Sequence, residues 1–309
     1  MGSQAVVTIG TFDGVHLGHR RVLSEVTRQA EESGADAVAY AFRRPPRREL
    51  LGAPGRFLLL PEATKVRLLQ QTVDRVVRAR FADVRELSPP RFAKDLLVDR
   101  LGAVAVVVGP SFRFGARRAG DLDTLRRLGT RHGFTVTVVP PVTIGGESVN
   151  STRIRALVEA GEIAGATALL GRPPLLVGEV THGDRVGRTL GYPTANLAIG
   201  KAILLPGDGV YAAYAFVADD PTPRPALLYL GTRPTIAALA PEPRCEVHLL
   251  SASDEDLYER RIEVQLIERL RTDRAFPSFG ALRRQIARDA VEGEAILRRP
   301  LDDLAPIAG

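Results

Sequence analysis

The chain has no tryptophan, one cysteine (Cys245) and one methionine, at its start. A single cysteine cannot close an internal disulfide, which fits a reducing, cytoplasmic setting. Cys245 lies far from His16 and His19, and the remaining histidines are scattered, so no zinc-ligand spacing exists. No apolar run approaches the roughly 18 residues that would suggest a membrane-spanning helix. The first residues lack a charged head and an apolar core, so nothing there resembles a signal peptide. There is no helix-turn-helix, no RNP-type aromatic run and no continuous basic stripe, which argues against a nucleic-acid partner and against a transcriptional regulator or RNA-binding protein.

What is present is ordinary for a soluble globular protein: 45% hydrophobic and 25% charged residues. A length of 309 residues exceeds the usual size of one core, so two domains are expected. The net charge is +6, with arginine far outnumbering lysine. Such a surface attracts nucleotides by long-range steering. Abundant Ala, Arg, Pro and Gly also fit GC-rich coding bias, so only arginines inside motifs enter the argument.

The organising stretch runs from Val6 to His19, V-V-T-I-G-T-F-D-G-V-H-L-G-H. Val6, Val7 and Ile9 read as a buried strand, Gly10 and Gly14 punctuate a turn, and Val22, Val26 and Ala30 have helical spacing. His16 and His19 therefore stand three apart at a helix entrance, on one face. Free N–H groups and the positive dipole end suit an anion there, and two imidazoles can donate to phosphate oxygens. The string resembles the H-x-G-H signature of nucleotidylyltransferases, in the variant of bacterial bifunctional riboflavin kinase/FAD synthetases. That resemblance implies that His16 and His19 hold ATP phosphates during adenylyl transfer, with Gly10 and Phe12 at the ATP site.

Strands then alternate with helices: Ala37–Phe42, a helical stripe at Val66, Leu69 and Val73, a strand at Val76–Phe81, and a helix after Ser88 with Phe92 and Leu96 inward. Val104–Val108 and Phe134–Val139 complete the pattern of an open parallel α/β sheet, which binds ligands past the carboxyl ends of its strands. Where the family reads F-D-P-H-P-R, this chain has Phe42, Pro46 and Arg47 but Arg43 and Pro45 in place of Asp and His. The loop Gly109–Asp121 sets aromatics and arginines between glycines, as a stacked ring and a held phosphate require. It resembles the family's F-R-F-G-x-x-R-x-G-D segment, which implies that Phe112, Phe114, Gly115 and Asp121 face flavin. The alternative is that Phe112 and Phe114 pack under the loop. Ser151 is a plausible cap for the next helix. The string Asn150-Ser151-Thr152-Arg153-Ile154-Arg155 resembles the family's S-S-T-x-I-R, with Asn150 replacing Ser. It implies ATP contacts by Ser151 and Thr152 and charge neutralisation by Arg153. A short helix ends at Gly171, and Arg172-Pro173-Pro174 reads as a linker.

From Leu175 the texture changes to short runs at Leu175–Val180, Val210–Val217, Ala226–Leu230, Glu246–Leu250 and Ile262–Leu266, the pattern of a small antiparallel barrel. A final helix with Phe279, Leu282, Ile286 and Ala290 on one stripe is expected to close one barrel end. The loop His182–Arg188 runs into Gly191-Tyr192-Pro193-Thr194-Ala195-Asn196, and its glycines would let a flap lie against phosphates. Thr194 and Asn196 lie two apart, so in extended chain their oxygens point the same way, as a hard cation prefers. The string resembles the riboflavin kinase motif G-x-P-T-A-N. It implies an ATP site with Gly183, Arg188, Gly191 and Pro193, and Mg²⁺ at Thr194 and Asn196. Gly231-Thr232-Arg233-Pro234-Thr235 resembles the family's G-T-R-P-T, giving Gly231 and Thr232 as flavin-facing. Glu246, in the family's E-x-H string, is the candidate base for the hydroxyl proton, against the alternative of a solvated edge charge. Tyr229 stands where the family often has Asn, and Glu259 where it has Gly.

The resemblance covers essentially the whole chain. It implies a Rossmann-like nucleotidylyltransferase domain at 1–172, then a β-barrel kinase domain at 175–298 with a C-terminal helix. The expected substrates are riboflavin, FMN and ATP with Mg²⁺, converted to FMN and then to FAD with release of pyrophosphate. The rival, motivated by Arg43 and Pro45, is a riboflavin kinase whose first domain has lost adenylylation.

Overall fold

A computed structural model describes residues 4–52, 55–182, 191–218, 220–231, 244–251, 256–298 and Ile307, without the side chains of Arg47, Leu50 and Leu51. The chain forms two compact units, Met1–Pro54 with Glu62–Ser151, and Gly55–Pro61 with Thr152–Gly309. No helix among the described residues is long and apolar enough to cross a membrane.

In the first unit, strands β1 (Ala5–Gly10), β2 (Asp36–Phe42), β3 (Arg75–Ala79), β4 (Ala103–Val108) and β5 (Thr135–Val138) form one parallel sheet in the order β3-β2-β1-β4-β5. β1 is central and its apolar run is buried, as a strand covered on both faces requires. Helix α1 (Leu17–Ser33) turns Leu23, Val26 and Ala30 inward and stops at Gly34, whose left-handed φ of 65° lets its N–H reach Ala30 O and Glu31 O. Helices α2 (Pro46–Leu51), α3 (Glu62–Gln70), α4 (Pro89–Arg91, continuing in π-helical form over Phe92–Arg100) and α5 (Leu122–His132) complete this unit's crossovers. The stripe expected to reach Val73 ends with α3 at Gln70, and Val73 is buried in the following turn. A hairpin, β6 (Thr143–Ile144) with β7 (Glu147–Ser148), turns on Gly145 and Gly146 at φ 63° and 79°. Because β2, β1 and β4 are parallel neighbours, the turns after Phe42, Gly10 and Val108 emerge along one edge of the sheet.

In the second unit, helices α6 (Ser151–Ala160; from Thr152) and α7 (Ile163–Leu170) precede the strands β8 (Leu175–Thr181), β9 (Ala195–Ile199), β10 (Gly209–Val217), β11 (Arg224–Gly231), β12 (Arg244–Leu249) and β13 (Arg261–Thr272). These strands close an antiparallel barrel in the order β10-β11-β12-β9-β8-β13. The compact units thus part at Ser151, ahead of the linker read at Arg172–Pro174. β10 shows the barrel's logic. Tyr211, Ala213, Ala215 and Val217 join the interior cluster, while Ala212, Tyr214 and Phe216 pack with Ile296 and Leu297 of helix α8 (Phe279–Leu297). The C-terminal helix therefore covers the outer wall instead of closing an end. Its buried face includes Gln285, Asp289 and Gly293, and Phe279, expected inward, is 55% exposed. Polar contacts satisfy that face: Arg271 of β13 pairs with Asp289 at 2.9 Å, and Gln285 donates to the same carboxylate. Ile163 of α7 and Leu58 pack against the barrel's interior cluster.

Candidate functional sites

The first cluster is built by the end of β1 and the start of α1. His16 is the N-cap of α1: its backbone is extended and its Nδ1 accepts the His19 N–H at 3.3 Å. With Nδ1 accepting, the ring proton of His16 lies on Nε2. The two imidazoles stack, with centroids 3.6 Å apart and planes 19° apart. Gly18, between them, has a spatial reason. A Cβ there would stand 3.1 Å from the His16 ring and 3.4 Å from the Val149 carbonyl. Phe12 and Val15 hold φ of 52° and 40°, a region that costs non-glycine residues energy, most of all a β-branched one. The Phe12 ring covers Gly10 and meets the edge of His19 at 5.3 Å.

Ser151 joins this cluster in a role different from the one expected. It is the first residue of α6 and its hydroxyl donates to the Asp13 carbonyl at 2.9 Å, tying the opening turn instead of capping the helix. Thr152 is exposed and Arg153 half-buried on the same first turn.

Burial and the neighbouring His16 and Lys65 hold the His19 imidazole well below the usual histidine range, so it is neutral at pH 7. Its Nδ1 is buried with no hydrogen-bond partner among the described residues. Lys65 on α3, which sequence reasoning missed, is itself buried and donates to Thr11 O, Phe42 O and Arg43 O. The one departure that bears on this edge is absorbed locally. Arg43 Nε stands 3.2 Å from Glu62, which also takes Arg78 at 2.8 Å. Pro45 sits at the N-cap position of α2, with Pro46 at its first turn.

The loop after β4 is pinned by paired backbone bonds between Phe114 and Gly120 at 2.9 and 3.1 Å. Phe114 is buried between Phe92 and Phe112, and a Cβ on Gly120 would strike its ring at 2.6 Å. Phe112 is half-exposed and lies nearly parallel over Phe114, so it presents the accessible ring face. Packing under the loop thus describes Phe114 fully and Phe112 in part, since Phe112 also packs against the core. Gly115, at φ 72°, touches Pro89, and Asp121 caps α5 by accepting from Thr124 N at 2.9 Å. That bond, with Arg113 at 3.4 Å, draws the Asp121 carboxyl below its usual range.

The second cluster lies on the outer wall of the barrel. Ala195, Leu197, Cys245 and Val247 point into the interior cluster, so Asn196 and Glu246 point out. Burial pushes the Cys245 thiol up to about 12, leaving it unreactive. Asn196 and Glu246 are direct cross-strand partners, and Glu246 pairs on its other side with Tyr229. Thr194 Oγ1 donates to Glu246 Oε2 at 3.4 Å. Glu246 is 7% exposed, which rules out a solvated edge charge. His248, next but one on β12, faces Pro193 O across 2.8 Å and meets Tyr192 edge-on. Gly191, at φ 86°, precedes β9.

Tyr229 donates to Asp273 at 3.0 Å, and a Cβ on Gly231 would meet both groups at about 2.5 Å. Hydroxyl, carboxamide and carboxylate oxygens on one face form the hard donor set that Mg²⁺ takes with phosphates and waters. Gly183, Arg188 and Thr232 lie outside the described residues, as does the rest of the loop at 183–190.

Residues 2–153 match the family model for FAD synthetase and residues 170–297 that for riboflavin kinase. A protein of Escherichia coli (strain K12) named bifunctional riboflavin kinase/FMN adenylyltransferase is 39% identical over 290 residues, covering 92% of this chain and 90% of its own. The protein of the same name from Pseudomonas fluorescens is 37% identical over 294 residues, covering 94% and 92%. Among solved structures, one named a macrolide-efflux protein from Streptococcus pneumoniae shares 27% identity. It aligns over 97% of this chain and 96% of its own with a TM-score of 0.84, a likeness of fold.

Proposed function

The chain belongs to the bifunctional riboflavin kinase/FMN adenylyltransferase family, and we propose from its geometry which residues carry each of the two reactions. The enzyme phosphorylates riboflavin to FMN and adenylylates FMN to FAD, using ATP in both steps. We assign adenylylation to residues 1–172 and phosphorylation to 175–298.

In the kinase step Glu246 accepts the proton of the riboflavin 5′-hydroxyl as that oxygen attacks the γ-phosphorus and ADP leaves. Thr194 orients the carboxylate through its hydrogen bond. Thr194 and Asn196 would hold Mg²⁺, which supplies charge neutralisation on the phosphates when bound. Gly191 and Pro193, with Gly183 and Arg188, would line the nucleotide, and Gly231 and Thr232 the flavin.

In the adenylyl step a phosphate oxygen of FMN attacks the α-phosphorus of ATP and pyrophosphate leaves. His16 and His19 donate to phosphate oxygens at the N-terminus of α1, beside Gly10 and Phe12, with Ser151 contributing from its bond to the opening turn. This is electrostatic catalysis with no covalent intermediate. Phe112 stacks the flavin ring over Phe114, and Gly115 and Asp121 shape that loop. The lone, inert Cys245 supports a working place in the cytoplasm.

The observation that carries this reading is the convergence of Thr194, Asn196 and Glu246 on one outer face of the barrel, in a unit separate from His16 and His19. A turnover assay on Asn196→Ala and His19→Ala tests it. The first is expected to stop FMN formation while still converting supplied FMN to FAD, and the second to do the reverse. Joint loss in either variant would refute the division.

A further inference from the structure

The chain has three lysines against a large excess of arginine: Lys65, Lys94 and Lys201. Lys94 and Lys201 are exposed, whereas Lys65 is 4% exposed. Its Nζ donates to Thr11 O at 3.1 Å, Phe42 O at 2.6 Å and Arg43 O at 3.3 Å. Three donors meet three carbonyls, so the ammonium's hydrogen-bonding capacity is matched. A single tetrahedral nitrogen can satisfy three carbonyls converging on one point, and a planar guanidinium cannot. Burying an ammonium is costly, and an aliphatic residue would fill the same helical position without that cost.

The carbonyls it gathers are not scattered through the core. Phe42 is the last residue of β2, Arg43 follows it, and Thr11 follows the last residue of β1. These are the carboxyl ends of two adjacent parallel strands, where ligands of such sheets bind. Immediately after Thr11 the backbone enters the left-handed region at Phe12 and again at Val15. Such conformations persist only where the surroundings hold them. Phe12 in turn sets its ring against His19, so a path of contacts runs from Lys65 through Thr11 and Phe12 to the imidazole.

We propose that Lys65 is the positioning residue of the adenylyl-transfer site. It ties the ends of β1 and β2 together, so that the strained turn keeps Phe12 and His19 in place and the N-terminus of α1 open to the triphosphate. Its fixed charge adds to the field there. The proposal rests on the reading of His16 and His19 as the phosphate-binding groups. His16 from the turn and Lys65 from α3 act on His19, while burial lowers Lys65 itself and Asp13 and Glu62 oppose that shift.

The test uses the full chain as Lys65→Met and Lys65→Arg beside wild type and His19→Ala. FMN formation and FAD formation are assayed separately, the latter also across a range of about pH 5.5 to 9. Lys65→Met is expected to lower kcat for FAD formation by about 10²-fold, with FMN formation within about twofold of wild type as the internal control for folding. With a cation removed from beside His19, the inflection that this imidazole gives the FAD profile moves to higher pH, which a purely structural loss would not produce. Lys65→Arg keeps the charge and is expected to fail equally. The proposal falls if Lys65→Met makes FAD at the wild-type rate with an unmoved inflection, if both activities drop together, or if arginine restores activity. Retained FAD formation in His19→Ala would instead refute the site reading on which the proposal rests.

Discussion

The two candidate sites use the same cosubstrate and are built in opposite ways. The cluster on the first unit is a strained turn at a helix N-terminus, with stacked imidazoles above a buried ammonium. The cluster on the barrel is a row of oxygens, Thr194, Asn196 and Glu246, on regularly paired strands. The nucleophiles explain the difference. A phosphomonoester has a second pKa of about 6, so FMN arrives at the first site largely ionised and needs cationic company to approach a triphosphate. An alcohol must lose its proton as it attacks, so the barrel needs a positioned carboxylate. On the proposed assignment, one site would supply field and the other a base.

The largest effect expected from that contrast is at Glu246. Glu246→Gln keeps the shape and removes the base, so steady-state FMN formation should fall by about 10²- to 10⁴-fold, while supplied FMN is adenylylated at the wild-type rate. A wild-type rate of phosphorylation would mean that the barrel also works by field alone. Next comes His19→Ala, for which loss of an oriented donor predicts a fall of about 10²- to 10³-fold in FAD formation. Its phosphorylation of riboflavin should be unchanged.

The first site should also respond to pH in a way the barrel does not. His19 is held below its unfolded pKa of about 6.5 by burial, His16 and Lys65. The neutral ring therefore contributes stability above about pH 6.5, and that contribution is lost as pH falls from there through the folded value. Phosphate oxygens favour the protonated ring and raise its pKa, so ATP binding at this site takes up a proton. Affinity should rise as pH falls through the bound-state pKa. Calorimetry in buffers of different ionisation enthalpy should detect that uptake in Glu246→Gln and lose it when His19→Ala is added. Uptake that survives the loss of His19 would assign the proton elsewhere.

Motif residues were legible in the sequence because backbone geometry forces their identity. Gly18 of the H-x-G-H string is the place where a Cβ would crowd the His16 ring, and Gly120 where one would strike Phe114. The cross-strand pairing of Asn196 with Glu246 joins residues 50 apart, and the matching strings announced both without revealing that they touch. Lys65 escaped because one basic residue on an amphipathic helix reads as solvent-facing; its signal was that lysine survives there in an arginine-rich chain. Helix α8 was legible only in part: Leu282, Ile286 and Ala290 of the expected stripe are half-buried, whereas Phe279 is exposed and Asp289 is buried against Arg271. Periodicity cannot foresee a buried ion pair contributed from another strand.

Backbone strain separates the regions once more, and gives the smallest effect. In the first unit it sits at Phe12 and Val15, inside the candidate site. In the barrel unit Glu259 holds φ 61° on an exposed turn, bonded through its N–H to Val180 O at 3.0 Å. This is the position where the family has glycine, and glycine would keep that hydrogen bond. A left-handed non-glycine residue costs about 1–2 kcal/mol, and glycine's extra unfolded-state entropy returns about 0.5–1 kcal/mol of that. Glu259→Gly should therefore stabilise the barrel unit by about 0.5–1 kcal/mol, a rise of about 1–4 °C in its Tm, with both activities unchanged. If the turn were strained for chemistry, as the opening turn is, relief would instead slow FMN formation, and the distinction between working and incidental strain would fail.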